Sequence, residues 1–179
     1  MKILAFGASN STRSINHLLA TYAASLIDDA DVTSLDLNEF EMPIFSVERE
    51  AELGHQELAK QFLQNIADAD GLIISLAEHN GSYSVAFKNV FDWASRIDSK
   101  VYQNKPVLFL STSPGSRGGA NVMSTVLSTA SHFGAEIVAS LSVPSFYENF
   151  DVDNMRAASE EIRVAIDSAA QQLAERLKE

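Results

Sequence analysis

Short apolar runs alternate with helix-like patterns along the whole chain. Five runs are typical of buried strands, at residues 2–6, 31–37, 70–76, 106–110 and 135–143. The third contains Leu72-Ile73-Ile74 without interruption, which is typical of a strand covered on both faces. Apolar residues recur with helical spacing in five further segments, at residues 14–28, 52–67, 85–97, 120–133 and 151–178. The pattern therefore predicts strands and helices in regular alternation.

Such an alternation predicts a doubly wound α/β fold with one five-stranded parallel sheet. Right-handed crossovers leave strand order as the main choice, and we expect the order 2-1-3-4-5. Residues 38–49 contain Pro43 and are expected to form a loop, and Gly134 is expected to end the fourth helix. No repeat or linker interrupts the pattern, so we expect residues 1–179 to form a single domain.

Charge and composition exclude several kinds of function. The 179 residues include 13 Lys and Arg against 24 Asp and Glu, a formal net charge of −11, and there is no cysteine. Disulfides and cysteine-based metal sites are therefore excluded, and an acidic surface argues against nucleic acid as a partner. No targeting segment or membrane-spanning run is apparent, so we expect a cytoplasmic protein that does not enter a membrane.

Three loops follow strands on the carboxyl side of the predicted sheet. They cover residues 7–16, 77–84 and 111–119, after the first, third and fourth strands. In doubly wound sheets, ligands bind beyond the carboxyl ends of the strands, where the strand order reverses. All three loops are rich in residues that form hydrogen bonds or turns, so we expect them to build one ligand site.

The first loop has the composition of a phosphate cradle. Its hydroxyl side chains and its one guanidinium precede a predicted helix, and they belong to Ser9, Ser11, Thr12, Arg13 and Ser14. A helix N-terminus offers free N–H groups and a positive dipole end, which suit a monophosphate. Helix capping alone would explain one hydroxyl rather than four. Neither G-x-x-x-x-G-K-[ST] nor G-x-G-x-x-G is present, so a P-loop and a Rossmann dinucleotide site are disfavoured.

The other two loops have residues that turn backbone groups outward. The second contains Glu78, His79, Asn80 and Gly81, and the third contains Ser113, Pro114, Gly115, Arg117 and Gly118. An Asn-Gly pair is also the ordinary composition of a plain turn, and a glycine-rich loop can be a simple connection. Their shared place at the sheet edge favours contact with a ring-shaped ligand.

Together the three loops resemble the NADPH-dependent FMN reductase family of the flavodoxin-like superfamily, which includes quinone, azo and chromate reductases. The family pattern G-S-x-R-x-x-S-x-N is matched at Ser9, Ser14 and Asn16. The pattern P-E-Y-N-G-S-x-P-G-x-L-K-N-x-x-D-W corresponds to residues 77–93, and S-x-x-G-x-x-G-G to residues 111–119. The resemblance covers residues 2–145 and implies a flavodoxin-like fold.

Several positions depart from the family patterns. Ser11 stands where the family has arginine, and we expect Arg13 to supply that charge from a neighbouring position. Ala77 and His79 replace the family's Pro and Tyr, and Ser84-Val85 replace its Pro-Gly pair. Backbone contacts with a flavin tolerate such changes, whereas ring stacking, redox potential and substrate choice depend on side chains.

The resemblance implies an enzyme that binds FMN, takes hydride from NADPH or NADH, and reduces a small-molecule acceptor such as a quinone. It implies no catalytic side chain and no metal, because the flavin carries the chemistry. It implies that Ser9, Ser11, Thr12, Arg13, Ser14 and Asn16 hold the phosphate. It implies that Glu78, His79, Asn80 and Gly81 hold the flavin ring. Ser113, Pro114, Gly115 and Gly118 would line the ring or ribityl side, and Arg117 is either an NADPH phosphate contact or a solvated arginine.

Two other functions and one assembly are compatible with the sequence. A flavodoxin-type one-electron carrier would share the fold and the acidity, and a flavodoxin-like module without FMN would account for the departures. Phe87, Phe91 and Trp93 cannot share one helix stripe, so either the core packs on both edges of the helix or a partner buries some of them. The family resemblance implies a homodimer or homotetramer, and we expect residues 85–97 to form its interface. The basic residues Arg13, Lys88, Arg96 and Arg117 fall in or just after the three loops, which predicts a less negative mouth on an acidic body.

Overall fold

A parallel β-sheet forms the centre of the computed structural model, which describes all 179 residues. Its strands are β1 (Lys2–Ala8), β2 (Asp31–Ser34), β3 (Gly71–His79), β4 (Ser82–Tyr83), β5 (Pro106–Thr112) and β6 (Glu136–Val143). Five of them are parallel in the order β2-β1-β3-β5-β6, while β4 pairs antiparallel with the end of β3. The α/β class and the five-stranded parallel sheet are confirmed. The numbered order differs from the expected 2-1-3-4-5 because the two-residue strand β4 intervenes in the chain.

Seven α-helices and a short hairpin surround the sheet. The helices are α1 (Ile15–Ser25), α2 (Val47–Leu53), α3 (Glu57–Asp68), α4 (Val85–Ser95), α5 (Ala120–Thr129), α6 (Phe146–Asn149) and α7 (Glu160–Arg176). A 3₁₀-helix covers Leu37–Phe40, and β7 (Phe150–Asp151) pairs with β8 (Arg156–Ala157) in a separate two-stranded sheet. Helices α1 and α7 pack on one face of the sheet, and α3, α4 and α5 pack on the other.

Each central strand contributes to two hydrophobic cores because successive side chains point to opposite faces. Ile74 and Phe109 lie in the core beneath α3, α4 and α5, whereas Ile73 and Leu108 lie in the core beneath α1 and α7. All four side chains are fully buried. Burying such a side chain stabilises the fold by about 1.5–3 kcal/mol. This two-sided burial explains why the central strands are apolar without alternation.

The segment between β2 and β3 differs from the prediction of a loop followed by one helix. Ser46 caps α2, because its Oγ accepts a hydrogen bond from the backbone N–H of Arg49 at 3.2 Å. Gly54 ends α2 with a positive φ of 67°, and α3 then begins at Glu57. The predicted helix over 52–67 is therefore wrong at its start. The Ser46 cap and Gly54 divide the segment into two helices, and the spacing of hydrophobic residues indicates neither of them.

The last predicted helix begins nine residues later than expected, at Glu160 instead of Asp151. Side-chain bonds divert the backbone into a turn, since Asp151 Oδ1 accepts from the backbone N–H of Asn154 at 3.1 Å. Met155 has a φ of 51°, which no helix tolerates, and Ser159 then caps α7 through the N–H of Ile162. Polar side chains compete here with helical hydrogen bonds and prevail.

The strand β2 and the helix α5 both end earlier in the structure than the sequence pattern predicts. Strand β2 ends at Ser34, and the Leu35 N–H makes one further hydrogen bond to the Ala5 carbonyl of β1 at 3.1 Å. Leu35 and Leu37 are buried, so their apolar character reflects packing in the core. Helix α5 ends at Thr129, and Gly134 closes a following turn with a φ of 83°. Gly134 therefore supplies a left-handed turn residue four positions after the helix cap.

The aromatic residues of α4 all belong to the protein core. Phe87 and Trp93 are buried, and Phe91 packs edge-on against Phe133 with ring centroids 4.9 Å apart. The Trp93 indole N–H donates to the carbonyl of Pro43 at 2.7 Å. These aromatics therefore pack on both edges of the helix within one chain, so they do not by themselves require a partner. The segments flanking α4 cover both edges.

Candidate functional site

The three loops meet at the carboxyl edge of the sheet, where β1, β3 and β5 end. Between them lies a pocket of about 210 Å³, which we call the three-loop pocket. Of the expected site residues, those in its wall are Ser9, Ser11, Arg13, Ser14, Asn16, Glu78, His79, Ser113 and Pro114. Thr12 lines a neighbouring cavity, while Asn80, Gly81, Gly115, Arg117 and Gly118 line neither. The structure thus brings together nine of the fifteen expected residues.

The first loop carries hydrogen-bond donors that the protein does not use. The backbone N–H groups of Asn10, Thr12 and Arg13 donate to no protein acceptor. The side chains of Ser11, Thr12 and Arg13 are exposed, and Arg13 has no ion pair. Ser14 caps α1 by accepting from the N–H of His17 at 3.2 Å. Free donors in front of a helix N-terminus suit a phosphate.

Close backbone packing explains the glycine that begins this loop. A Cβ at Gly7 would lie only 2.8 Å from the backbone carbonyl carbon of Asn16. A side chain would therefore push α1 away from the end of β1. Gly7 was not among the expected site residues, yet it sets how closely the helix N-terminus approaches the sheet.

Asn16 holds the site together from beneath. Its Oδ1 accepts from the Ser75 hydroxyl at 2.7 Å and from the Thr112 N–H at 3.1 Å, while its Nδ2 donates to the Thr112 carbonyl at 3.2 Å. All three residues are buried. The side chain thus joins α1 to β3 and β5, and its amide groups are already engaged within the protein. Its geometry is that of a brace between the strands.

The second loop is a tight hairpin between β3 and β4. His79 pairs with Ser82, and the two residues between them, Asn80 and Gly81, have φ values of 52° and 79°. Two successive positive φ angles are typical of the two-residue hairpin turn that Asn-Gly favours. The Asn-Gly pair therefore forms the turn itself. His79 is exposed and is among the residues that line the three-loop pocket.

Glu78 links the second loop to the helix after the third. Its Oε2 accepts from the backbone N–H groups of Asn121 and Val122 at 2.9 and 3.0 Å, and its Oε1 accepts from Asn121 Nδ2 at 3.2 Å. The carboxylate thereby caps the N-terminus of α5, where a negative charge is favourable. The hydrophobic pattern contained no indication of this long-range cap.

Ser84 joins the first and second loops. Its hydroxyl donates to the carbonyl of Ala8 at 2.7 Å and accepts from the N–H of Phe87 at 3.2 Å, which caps α4. Ser84 occupies one of the positions where the sequence departs from the family pattern. A capping serine is therefore a structural replacement for the proline found there in the family.

The third loop is anchored at its glycine end. Gly118 is buried with a φ of 57°, and a Cβ there would lie 2.7 Å from the carbonyl of Val143. Its own carbonyl accepts from the Ser111 hydroxyl at 2.8 Å. Arg117 donates to Asn121 Oδ1 at 2.6 Å and stays exposed. These contacts leave Ser113 and Pro114 as the part of the loop that lines the pocket.

The basic residues expected around the mouth divide into two groups. Lys88 pairs with Asp92 on α4 at 2.7 Å, and Arg96 pairs with Glu50 at 2.9 Å. Neither lines the three-loop pocket, whereas Arg13 does. At the end of β4, burial raises the pKa of the Tyr83 hydroxyl above its ordinary value.

Tyr147 is a site residue that the sequence pattern did not indicate. It follows β6 on the short helix α6, is 67% exposed, and lines the three-loop pocket. An aromatic residue ahead of the last helix was its only signal. Its place beside Arg13 and Ser14 depends on how the segment after β6 folds back over α1.

Fold and site together define a flavodoxin-like α/β protein with a loop of unused hydrogen-bond donors where the strand order reverses. The model of the family described as NADPH-dependent FMN reductase matches residues 1–148, and the chain belongs to this family. As a member it is an NAD(P)H-dependent oxidoreductase with FMN as its flavin. The free loop donors fit such a phosphate ester.

Individual relatives agree with this assignment. A 2-hydroxy-1,4-benzoquinone reductase from Burkholderia sp. is 31% identical over 159 residues, which cover 88% of this chain and 83% of the relative. A quinone reductase from Escherichia coli is 32% identical over 80 residues, or 45% of this chain and 43% of the relative. The structure of the NAD(P)H:acceptor oxidoreductase FerB from Paracoccus denitrificans superposes with a TM-score of 0.77 at 20% identity, covering 99% and 97% of the two chains. None of the helices is both long and apolar enough to cross a membrane.

Proposed function

We propose that this protein reduces a quinone-type acceptor with electrons taken from NAD(P)H through FMN. The observation that carries the proposal is the donor set of the first loop. Three unused N–H groups, two exposed hydroxyls and the unpaired Arg13 lie before α1. Ser11 and Arg13 line the three-loop pocket, and Thr12 lines the adjoining cavity. The quinone class is inferred from the relatives, two of which are named for quinone reduction.

We assign the phosphate of FMN to the first loop. Ser11, Thr12 and Arg13 would donate directly, together with the free backbone N–H groups. Ser9 and Ser14 are buried at the base of the loop, and each Oγ already accepts one backbone N–H, which leaves each hydroxyl proton available. Asn16 is proposed as a positioning residue, because its amide is engaged by β3 and β5.

The second and third loops are proposed to enclose the flavin ring. Backbone groups around His79 and the side chains of Ser113 and Pro114 form the facing walls of the three-loop pocket. Asn80 and Gly81 shape the hairpin, and Gly115 and Gly118 shape the opposite loop. Arg117 is proposed to attract the phosphates of the hydride donor from its exposed position next to Asn121.

When bound, FMN supplies a centre that accepts a hydride from the nicotinamide and passes two electrons on. The net reaction converts NAD(P)H, a proton and a quinone into NAD(P)⁺ and a hydroquinone. The residues of this chain need only bind, orient and shield the reactants, since the flavin carries the chemistry. No acid, base or nucleophile of the protein is required.

Anaerobic reduction separates this function from the two alternatives. FMN is titrated into the protein, and NADH or NADPH is then added while the visible flavin absorbance is recorded. Loss of the absorbance, followed by its recovery on adding 1,4-benzoquinone, supports the proposed reductase. Bound FMN that NAD(P)H does not reduce would indicate a one-electron carrier. Failure to bind FMN would indicate a module without redox function.

The proposal also includes a single domain, a homodimer or homotetramer and a place in the cytoplasm. The aromatic residues of α4 no longer support the assembly, but Val85 at the start of α4 is 67% exposed and lies near the second loop. Light scattering measures the assembly directly. Elution at the monomer mass across a wide concentration range would contradict it.

A further inference from the structure

A separate cavity lies between helices α4 and α5, and we call it the aromatic cavity. It has a volume of about 260 Å³. Five aromatic rings line it, those of Tyr83, Phe87, Phe91, Tyr102 and Phe133. None of its lining residues belongs to the three-loop pocket or to the cavity beside that pocket. The aromatic cavity therefore lies outside the place proposed for the flavin.

The five rings form one continuous wall. The ring centroid of Phe91 lies 5.9 Å from that of Phe87 and 5.6 Å from that of Tyr102. Phe133 meets Phe91 edge-on at 4.9 Å, and Tyr83 extends the wall from Phe87 at 5.5 Å. An apolar cavity of about 150 Å³ in another protein holds one benzene molecule. The volume here therefore admits a single aromatic ring together with a small substituent.

The hydroxyl of Tyr102 has no hydrogen-bond partner in the protein. Tyr102 is only 3% exposed, and burial, together with the nearby Tyr83, raises the pKa of its hydroxyl without any hydrogen bond that lowers it. A buried tyrosine hydroxyl usually finds a partner. No side-chain polar atom is both fully enclosed and unpaired, so this hydroxyl reaches the open volume of the cavity that Tyr102 lines. It is an unused donor and acceptor among aromatic rings.

The aromatic cavity offers no free charge to a ligand. Its only charged lining residues are Lys88 and Asp92, and Lys88 Nζ donates to both carboxylate oxygens of Asp92, at 2.7 and 2.9 Å. The hydroxyls of Thr125 and Thr129 donate to backbone carbonyls of α5 at 3.0 and 3.1 Å. Because burying an unpaired charge is costly, a ligand of this cavity must be uncharged.

We propose that the aromatic cavity binds a small uncharged aromatic compound that has a hydroxyl group, with phenol as the simplest member of the class. The ring of the ligand would pack against Phe91 and Phe133. Its hydroxyl would form a hydrogen bond with Tyr102, and a hydroxyl suits this position because it can both donate and accept. The inference does not depend on FMN, so it stands apart from the proposed function.

Calorimetry on the whole protein tests the site with phenol, toluene and benzoate as probes. Phenol and toluene are both expected to bind, whereas benzoate is expected not to bind because its charge would be buried without a partner. Flavin-free and FMN-loaded protein are expected to bind phenol equally, since the aromatic cavity and the three-loop pocket share no residue.

Two variants and one control assign the binding to the aromatic cavity. Tyr102→Phe keeps the ring and should weaken phenol binding about fivefold while leaving toluene binding unchanged, because only phenol loses a hydrogen bond. Thr125→Leu enlarges the wall with a good helix former and should abolish the binding of both probes. Tyr22→Phe is the matched control, because Tyr22 is a buried tyrosine of the opposite core, and it should bind both probes like the parent protein.

Four results would overturn the inference. These are no binding of phenol to the parent protein, unchanged phenol affinity in Tyr102→Phe, binding of benzoate as tight as that of phenol, and displacement of phenol by FMN. A phenol affinity that falls as the protein concentration rises would show that a second copy of the chain covers the cavity, which also overturns it. Failure of FMN to bind would contradict only the proposed function, since phenol is titrated into flavin-free protein as well.

Discussion

Replacing Asn16 with alanine tests whether this residue braces the site or contacts the ligand. The substitution removes three hydrogen bonds, to the Ser75 hydroxyl and to the N–H and C=O of Thr112. Ser75 is 0% exposed and Thr112 is 1% exposed, so water cannot readily replace the lost partner. The backbone N–H and C=O of Thr112 lose the Asn16 side chain, which links β5 to α1.

The expected fall in the free energy of unfolding follows from the number of polar groups that lose their hydrogen-bond partner. Each hydrogen bond contributes about 1 kcal/mol net, and each buried group left unsatisfied costs about 1–3 kcal/mol. For Asn16→Ala we expect the free energy of unfolding to fall by about 3–5 kcal/mol, because the Ser75 hydroxyl can rotate to another acceptor and soften the loss. Ser75→Ala removes only one of the three bonds and should cost about 1 kcal/mol.

Urea unfolding followed by circular dichroism measures both changes. Asn154→Ala is the control, because that side chain is exposed and bonds only to Asp151, and it should change the unfolding free energy by less than about 0.5 kcal/mol. FMN titration of the folded Asn16→Ala protein should show weakened binding as α1 loses its anchor. Unchanged stability together with weakened FMN binding would refute the bracing role and favour a direct ligand contact.

Three further substitutions test the loops. Arg13→Ala should weaken FMN binding by about tenfold and reduce its salt dependence, because it removes an unpaired guanidinium from the first loop. Glu78→Ala should lower the free energy of unfolding by about 1–2 kcal/mol in urea titrations, since α5 loses its cap. Gly118→Ala should destabilise the protein by roughly 2 kcal/mol or more in the same assay, because its Cβ would overlap Val143 at a positive φ.

Each of these three substitutions has a matched control variant. Arg163→Ala removes an exposed arginine of α7 that lines neither the three-loop pocket nor the adjoining cavity, and Glu175→Ala removes an exposed glutamate that caps no helix. Gly115→Ala changes the same loop as Gly118 but meets only the Ser113 hydroxyl, at 3.8 Å. FMN binding by Arg13→Ala at the parent affinity would contradict the charge replacement. Equal effects of Gly115→Ala and Gly118→Ala would contradict the crowding argument.

Local chemistry alone predicted a helix cap and a tight turn within these loops. Ser14 is both the cap of α1 and a member of the hydroxyl-rich run, and a helix N-terminus after a buried strand has the same chemistry in any α/β fold. Asn80 and Gly81 likewise predicted a turn because few other residues tolerate two positive φ angles. Both inferences depend on neighbouring residues, which a sequence displays directly.

Long-range partners were beyond the reach of the same pattern. Glu78 was expected to hold the flavin ring mainly through its backbone, and nothing in the sequence indicated that its side chain caps a helix 43 residues away. Asn16 was expected to hold phosphate, yet it bonds to Thr112, 96 residues away. Neither separation follows from periodicity, because hydrogen bonds between distant residues form only when the whole sheet has aligned its strands.

By itself, the sequence determined the alternation of strands and helices, the parallel sheet, the three loops at one edge and the family. Those features follow from hydrophobic periodicity and from backbone preferences of single residues. The tertiary structure decided which side chains remain free to meet a ligand. It engaged Asn16, Glu78 and Lys88 within the protein, and it brought Tyr147 to the first loop. Packing made this selection, since a polar side chain is available to a ligand only where folding supplies no other partner.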